Sequence, residues 1–410
     1  MMMKKILITF CKIPASILIV AVAIVAAFSI SPIYDFEDPA PFSGPDIFDP
    51  YADIDWNIGW TRANFHTHTR VNGPLNECPE WPDTVYRDYM KFGYGILTFS
   101  NHNELTTHPY DPALQVDVYE HGYGVCQYHK LVFGPHNGVN HFDHLLPLLS
   151  SQKQWQIDML SRDADFVVMN HPDRTRFTKK RHMENLSGYR IMEGDSGVST
   201  EFIHWDEALS AGHYCFGITN DDCHNSRISN RIAVRCSFLN SPSGRYSDIR
   251  ETLLSGRFYS MRVPDYGDGD WSVKYEKNAD LPYIEAIGAR SDTVYLKLSK
   301  PAENILAIGQ GHTTLADAHR SDSIEYVMRP SDSYVRLTAF FDDGAVIYTN
   351  AFCFDGTFKE CCILMAFIHM KYIICRRFNH LFAISKNNCL KYVNHLCKGS
   401  HFNSVAMLVE

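Results

Sequence analysis

Eight side chains of the 410-residue sequence have the types and spacing of a shared ligand set. His66 and His68 form an H-x-H pair in "NFHTHT", and Asp222 and His224 form a D-x-H pair in "NDDCHN". Residues i and i+2 of an extended chain project the same way, so each pair can aim two donors at one point. Between the pairs lie His102 in "SNHN", Glu120 in "VDVYE", His129 in "QYHKLVFG" and His171 in "MNHPDR". Each sits at the end of an apolar run or beside one. Imidazole and carboxylate donors together suit zinc, manganese or iron. Eight donors exceed what one ion needs, so two or three divalent ions are expected. An isolated H-x-H is common by chance; the repetition at successive strand ends carries the reading. Glu104 and Glu193 also end candidate strands or loops and compete with Glu120, and His121 competes with His129. Cys223 lies between two donors, where alternation turns it away. His108, His136, His141 and His144 read as loop or helix-surface residues.

These residues need a scaffold that brings many strand ends together. From Thr61 to about Gly267, apolar runs such as "YGILTFS", "DFVVMNH" and "HYCFGIT" alternate with helix-like stretches such as "WPDTVYRDYMKFG" and "SSQKQWQIDMLSR". Repeated β-then-α order favours an α/β barrel or an open parallel sheet. From about residue 274 the texture changes to short alternating runs ("TVYLKLS", "NILAIGQ", "SIEYVMR", "YVRLTAFF", "AVIYTNAF"), which read as a small antiparallel β-domain. The expected organisation is therefore 1–34 as N-terminal lysines and an apolar helix, 35–60 as a Pro- and Asp-rich linker, 61–273 as the α/β domain, 274–355 as the β-domain, and 356–410 as a basic, Cys-rich tail without packed structure.

Bulk properties narrow the function. Apolar content is 45%, charged content 21% and net charge −9. Residues 356–410 carry seven Lys/Arg against two Glu, a net +5, so the remainder carries −14. A body this acidic disfavours nucleic-acid binding by phosphate neutralisation. Lys4, Lys5 and Lys12 precede an uncharged run from Ile13 to Tyr34, long enough for a membrane-spanning helix. Lysines on its N-terminal side keep that end cytoplasmic. The expected location is outside the cytoplasm, anchored by an uncleaved helix or released if the segment is a cleaved signal. The cysteines show no C-x-x-C pair, so neither a zinc ribbon nor a dense disulfide framework is expected.

Taken in order, "HTHT", "SNHN", "NHPD" and "DCH" resemble the four motifs of the polymerase and histidinol phosphatase (PHP) domain family, over about residues 61 to 265. "WDEALSAG" and "RETLLSGRFYS" resemble its membrane-anchored or exported members. The resemblance implies a distorted (β/α)7 TIM-like barrel with a trinuclear centre at the C-terminal ends of its strands. It implies a first ion on His66, His68, Glu120 and Asp222; a second on Glu120, His129 and His171; and a third on His102 and His224. The loop after H-x-H, where the family often carries an acid or histidine, offers "RVNG" with Asn72, which implies a loose or empty third site. Asn101 stands where the family has Asp, a change expected to tune binding from behind the ligands. The implied reaction is hydrolysis of a small phosphate ester by a metal-activated hydroxide, with Glu120 and Asp222 holding the ions and Arg174 contacting phosphate. The alternatives are an amidohydrolase-like metal hydrolase, which usually needs a bridging lysine that no strand end offers, and a non-catalytic metal-binding scaffold at the cell surface. Oligomeric state is not legible.

Overall fold

The computed structural model describes residues 16–25, 29–73, 76–123, 126–195, 202–264 and 269–354. Helix α1 covers residues 16–25. No helix among the described residues is long and apolar enough to cross a membrane; the rest of the N-terminal segment and the tail from 355 lie outside the described residues. One compact unit comprises the chain up to Phe42 together with Ile47–Cys353. A second holds Ser43–Asp46 and Phe354 among the described residues. Every element that bears on the site belongs to the first.

The chain is mixed α/β. After a short β1 (Ile47–Phe48) come β2 (Thr61–Asn64), α2 (Pro82–Met90), β3 (Ile96–Leu97), β4 (Val118–His121) and β5 (Lys130–Phe133). These are followed by α3 (Ser150–Ser161), β6 (Phe166–Met169), α4 (Lys180–Asn185), β7 (Ile191–Glu193), α5 (Ile203–Ser210) and β8 (Phe216–Ile218). Local chemistry sets the boundaries. Pro82 opens α2 at a position where a missing N–H costs nothing. Gln152 turns back to accept from the Leu148 and Leu149 N–H groups at the start of α3, both at 3.0 Å.

Strand pairings run in a circuit. β2 pairs with β3 in parallel, and His102, just beyond β3, bridges Glu120 of β4. Then β4–β5–β6 are antiparallel and β6–β7–β8 parallel. Thr67, just beyond β2, bridges Cys223, just beyond β8, so the pairings return to β2 after seven strands. The departure from a uniformly parallel order is β5. Only residues 122–129 separate it from β4, too few for a parallel crossover, so the chain turns back as a hairpin.

The same facing residues fill the interior. Val118, Leu131, Phe133, Phe166, Val168, Ile191, Phe216 and Ile218 belong to one buried cluster with Ala63 and Phe65. Phe133 and Phe166 stack with centroids 4.5 Å apart. Each such side chain contributes roughly 1.5–3 kcal/mol by leaving water. Because strands alternate, the next residue on each inward column is also fixed. The columns Val118–Glu120, Leu131–His129, Val168–Asn170, Ile191–Glu193 and Ile218–Asn220 all change from apolar to polar at the same end.

The circuit is extended on its other side. β9 (Arg235–Leu239) pairs with β2 and, beyond α6 (Tyr246–Ser255), with β10 (Phe258–Arg262). After α7 (Trp271–Ala279) come β11 (Ile284–Arg290), β12 (Thr293–Gly309), β13 (Thr313–Val327), β14 (Tyr334–Phe340), β15 (Val346–Tyr348) and β16 (Phe352–Phe354). These pair antiparallel, and β15 pairs with β10, so the same sheet continues into them. "TVYLKLS" and "NILAIGQ", read as separate strands, form one 17-residue strand, β12. A register shift between Lys297 and Ala302 accommodates Pro301, which has no N–H for the ladder.

Candidate metal centre

All eight ligand candidates meet at the polar end of the circuit. Glu120 and Asp222 are its hubs. His66 Nε2 lies 3.2 Å from Glu120 Oε2 and 3.1 Å from Asp222 Oδ1, and His68 Nε2 lies 3.2 Å from each of the same oxygens. His129 Nδ1 and His171 Nε2 both lie 3.1 Å from Glu120 Oε1. His102 Nε2 is 3.3 Å from Glu120 Oε2, and His224 Nε2 is 3.1 Å from Asp222 Oδ1. The site of His129, which opens a strand where the other ligands end one, follows from the reversed β5: its N-terminus lies at the same end as the other strands' C-termini.

The geometry fits metal ions better than hydrogen bonds alone. His66 Nε2 and His68 Nε2 are buried and make no aligned hydrogen bond despite their short carboxylate distances. Donor atoms bound at about 2.0–2.2 Å around one ion are separated by roughly 2.8–3.6 Å at octahedral to tetrahedral angles, a range that includes the spacing seen here. His66, His68, Glu120 and Asp222 form one group able to hold an ion, and His102, Glu120 and His129 another. Charge points the same way. The carboxylates of Glu120, Glu193 and Asp222 gather in a buried site, where negative charge needs a cationic partner.

Glu77 was not singled out from sequence. Its Oε2 lies 3.3 Å from both His102 Nε2 and His224 Nδ1, and it groups with His68 and His224 as a third set of donors. The acid that Asn72 failed to supply is thus five residues further on, and Asn72 itself is exposed. The signal was present in "NECPE", but a loop has no period from which to read direction. Glu77→Gln should lower the bound-metal stoichiometry by one equivalent while leaving the other ions in place, as counted by elemental analysis of the purified protein.

Supporting contacts hold the ligands. His66 Nδ1 sits 3.1 Å from Glu193 Oε1, and Glu193 also accepts from the His171 N–H at 3.2 Å and Asn220 at 3.0 Å. Glu193 therefore fixes the ring of His66 from behind, with Nε2 facing the cluster. Asn170 donates to Glu120 at 3.0 Å. Asn101 accepts from the Thr69 N–H at 2.8 Å and donates to the Thr69 hydroxyl at 2.7 Å, clamping the H-x-H-T segment. Asn103, His171 and Asp222 hold positive φ angles of 51°, 25° and 50°. Such strain in non-glycine residues collects where surroundings over-determine a site. Glu193→Gln should weaken metal affinity about 10–100-fold, as read by competition with a chromogenic chelator.

Arg174 follows His171 on a 3-10 turn (Pro172–Arg174) and donates to Asp222 Oδ2. It is 29% exposed, at the edge of the cluster. His121 turns away to the Phe142 carbonyl, 2.8 Å, and Cys223 is buried outside every ligand group. His108 and His144, expected at the surface, are buried. His108 Nδ1 accepts from the Asp111 N–H at 2.9 Å, which explains its burial as a turn support. The described cysteines, Cys78, Cys126, Cys215, Cys223, Cys236 and Cys353, are all buried.

Burial opposes charge on His68, but Asp222 and Glu120 outweigh it and raise its pKa to about 9. His66 is also raised, burial again being overcome by Asp222, Glu120 and Glu193. Without metal, His68 therefore carries a proton at pH 7. Ligation needs neutral imidazole, so loading must release that proton, and apparent affinity should rise with pH until about 9. Calorimetry of Zn²⁺ uptake in buffers of different ionisation enthalpy should show at least one proton released per ion at pH 7.

No protein-family model matches this chain, and no curated protein matches it. Among solved structures it is similar to a two-domain protein containing a predicted PHP-like metal-dependent phosphoesterase from Bacteroides vulgatus. The two are 16% identical with a TM-score of 0.35, over 77% of this chain and 100% of that one. A likeness of this size does not establish a family.

Proposed function

We propose that this chain is a metal-dependent phosphoesterase of PHP type, working at a centre of two or three divalent ions (zinc, manganese or iron) on a distorted (β/α)7 barrel. The observation that carries the reading is the convergence of His66, His68, Glu120 and Asp222, with two buried imidazole nitrogens aimed at a shared point rather than at hydrogen-bond partners. The seven-strand circuit supports the barrel.

Bound ions would supply Lewis acidity and lower the pKa of water towards neutrality. The protein's own residues do the rest. Glu120 presents one oxygen to His129 and His171 and the other to His66, His68 and His102, so it can serve two ions at once. Glu193 fixes His66. Arg174, tethered to Asp222 at the rim, would contact an anionic oxygen of the substrate. The amidohydrolase-like alternative needs a lysine among the ligands. Lys130 follows His129, but its Nζ donates to the Tyr128 carbonyl at 2.7 Å and to Gln156 at 2.9 Å. The substrate we propose is a small phosphate ester, acted on outside the cytoplasm with the N-terminal segment as anchor.

The deciding experiment uses the purified full chain. Bound metals are quantified, and hydrolysis of phosphomonoester and phosphodiester panels is measured with and without a chelator. Metal-dependent turnover of a phosphoester supports the reading. Full metal occupancy with no turnover on either panel favours a cell-surface scaffold, and no bound metal ends both.

A further inference from the structure

Exposed apolar and basic side chains collect where α3 and α4 begin. Leu145, Leu148 and Leu149 lead into α3 and are 40%, 41% and 61% exposed. Gln152, which accepts the N–H groups of Leu148 and Leu149, donates its own Nε2 to the Ser29 carbonyl at 2.8 Å. Ser29 in turn donates its hydroxyl to the carbonyl of Val25, the last residue of α1, at 2.6 Å. Tyr34 donates its N–H to Ser151 Oγ at 3.1 Å and its hydroxyl to Asp158 at 2.7 Å, so residues 29–34 lie along α3. The exposed leucines and the end of α1 are thus tied together. Ile17, Leu18, Ile19, Val20, Val22 and Ile24 fall on every side of α1 and are 51–68% exposed. A helix apolar all round belongs in an apolar medium, and a contiguous exposed apolar patch marks an interaction surface.

The α4 side of this face is basic. Asn185 of α4 donates to Ser150 Oγ of α3 at 3.0 Å. The His182 ring lies against the Leu148 backbone and accepts the Lys179 N–H at 3.0 Å, so Lys179, Lys180 and Arg181 sit beside the leucines. Residues 174–181, "RTRFTKKR", hold five basic side chains and no acid, in a chain whose net charge is −9. Arg174 is held by Asp222. Arg176, Lys179, Lys180 and Arg181 are exposed. Of these four, only Lys180 has an acidic partner among the described residues, Glu184 at 3.3 Å. Asp35, Glu37 and Asp38 follow Tyr34 on the stretch that leads away from α3 to Ala211, whose carbonyl accepts the Ala40 N–H at 3.0 Å.

Leucines beside cations and next to an apolar helix match one partner, a bilayer containing anionic lipid. The leucines enter the boundary between headgroups and acyl chains, and the cations meet the lipid phosphates. An acidic protein would match the cations but give α1 no apolar medium. A second copy of the chain, docked through the same patch by two-fold symmetry, would set the two basic segments against each other. We propose that the α3–α4 face, through Leu145, Leu148, Leu149, Lys179, Lys180 and Arg181, seats the body of the protein on an anionic bilayer, in addition to any hold by the N-terminal segment. His171 of the metal centre comes just before the basic segment, so the seat also fixes how the centre is oriented to the membrane. The proposal does not rest on the phosphoesterase reading.

The test is amide hydrogen exchange of the full chain reconstituted with vesicles. One set is phosphatidylcholine alone and the other phosphatidylcholine mixed with phosphatidylglycerol. Each Lys or Arg near an anionic leaflet contributes about fivefold to partitioning. Amides of 145–150 and 176–182 should therefore exchange at least about fivefold more slowly in the mixed vesicles, with β13 unchanged. Combining Lys179→Glu, Lys180→Glu and Arg181→Glu should return exchange to the phosphatidylcholine level. Leu148→Ser with Leu149→Ser, at exposed positions, should reduce the protection while the charges remain. The lipid comparison on the unaltered chain decides the matter even where a variant fails to fold. Five outcomes overturn the proposal: no association with either vesicle, equal exchange in both, protection shared by β13, protection that survives charge reversal in a folded variant, or the same protection in lipid-free detergent rising with protein concentration, which would assign the face to a second copy.

Discussion

Replacing Glu120 by glutamine should lower the proposed phosphoesterase activity by about 10³-fold or more and strip the protein of more than one metal equivalent. The carboxylate lies within 3.1–3.3 Å of five histidine nitrogens. Its two oxygens serve two of the donor groups, so a single change weakens both. Glutamine keeps the volume but replaces an anionic oxygen with an N–H₂ that points donors at lone pairs. A bound ion contributes several kcal/mol to transition-state charge stabilisation, and each 1.36 kcal/mol is tenfold in rate. Elemental analysis and turnover by the same preparation check the prediction, with circular dichroism confirming the fold. Retention of full metal content and full activity would remove Glu120 from the centre altogether.

The second large effect belongs to Asp222. Asp222→Asn should cut activity by a similar factor while costing only the ion of the His66–His68 group, so metal content and rate separate the two variants. Asp222 Oδ1 lies 3.1–3.2 Å from His66, His68 and His224, and Oδ2 holds Arg174. The neighbouring residue explains why the backbone should survive. Asp221 accepts the backbone N–H groups of Ala233, Val234 and Arg235 and the Tyr89 hydroxyl at 2.7–2.9 Å. That loop stays fixed whatever occupies position 222. A useful contrast is Arg174: losing it should raise KM for an anionic substrate with the metals retained. A rate unaffected by Asp222→Asn would sink the proposed chemistry.

Much of the centre was legible in the sequence because its ligands obey short-range rules. His66-x-His68 and Asp222-x-His224 depend only on the direction of alternate residues. Glu120 and His171 depend only on ending apolar runs. What was not legible depends on the path of the chain. His129 seemed exceptional until β5 proved to run backwards, a consequence of the short hairpin rather than of any motif. Glu77 sits in a loop, and its approach to His102 and His224 is set by tertiary closure. Glu193 was visible as a strand-end acid, but only the inward column shows that it stands behind His66 rather than replacing Glu120. The long β12 was missed for a related reason: Pro301 reads as a breaker, whereas the sheet absorbs it as a shift in register.

The inward columns have one more implication. The apolar side chains that fill the interior and the polar groups that support or form the centre are successive positions on the same strands, so packing and reactivity are mechanically in series. A methyl group removed from Val168 or Ile191 would be felt one pleat along, at Asn170 or Glu193, before it reached the surface. Drift in the interior would therefore be expected to read out as a change in how firmly the proposed ions are held.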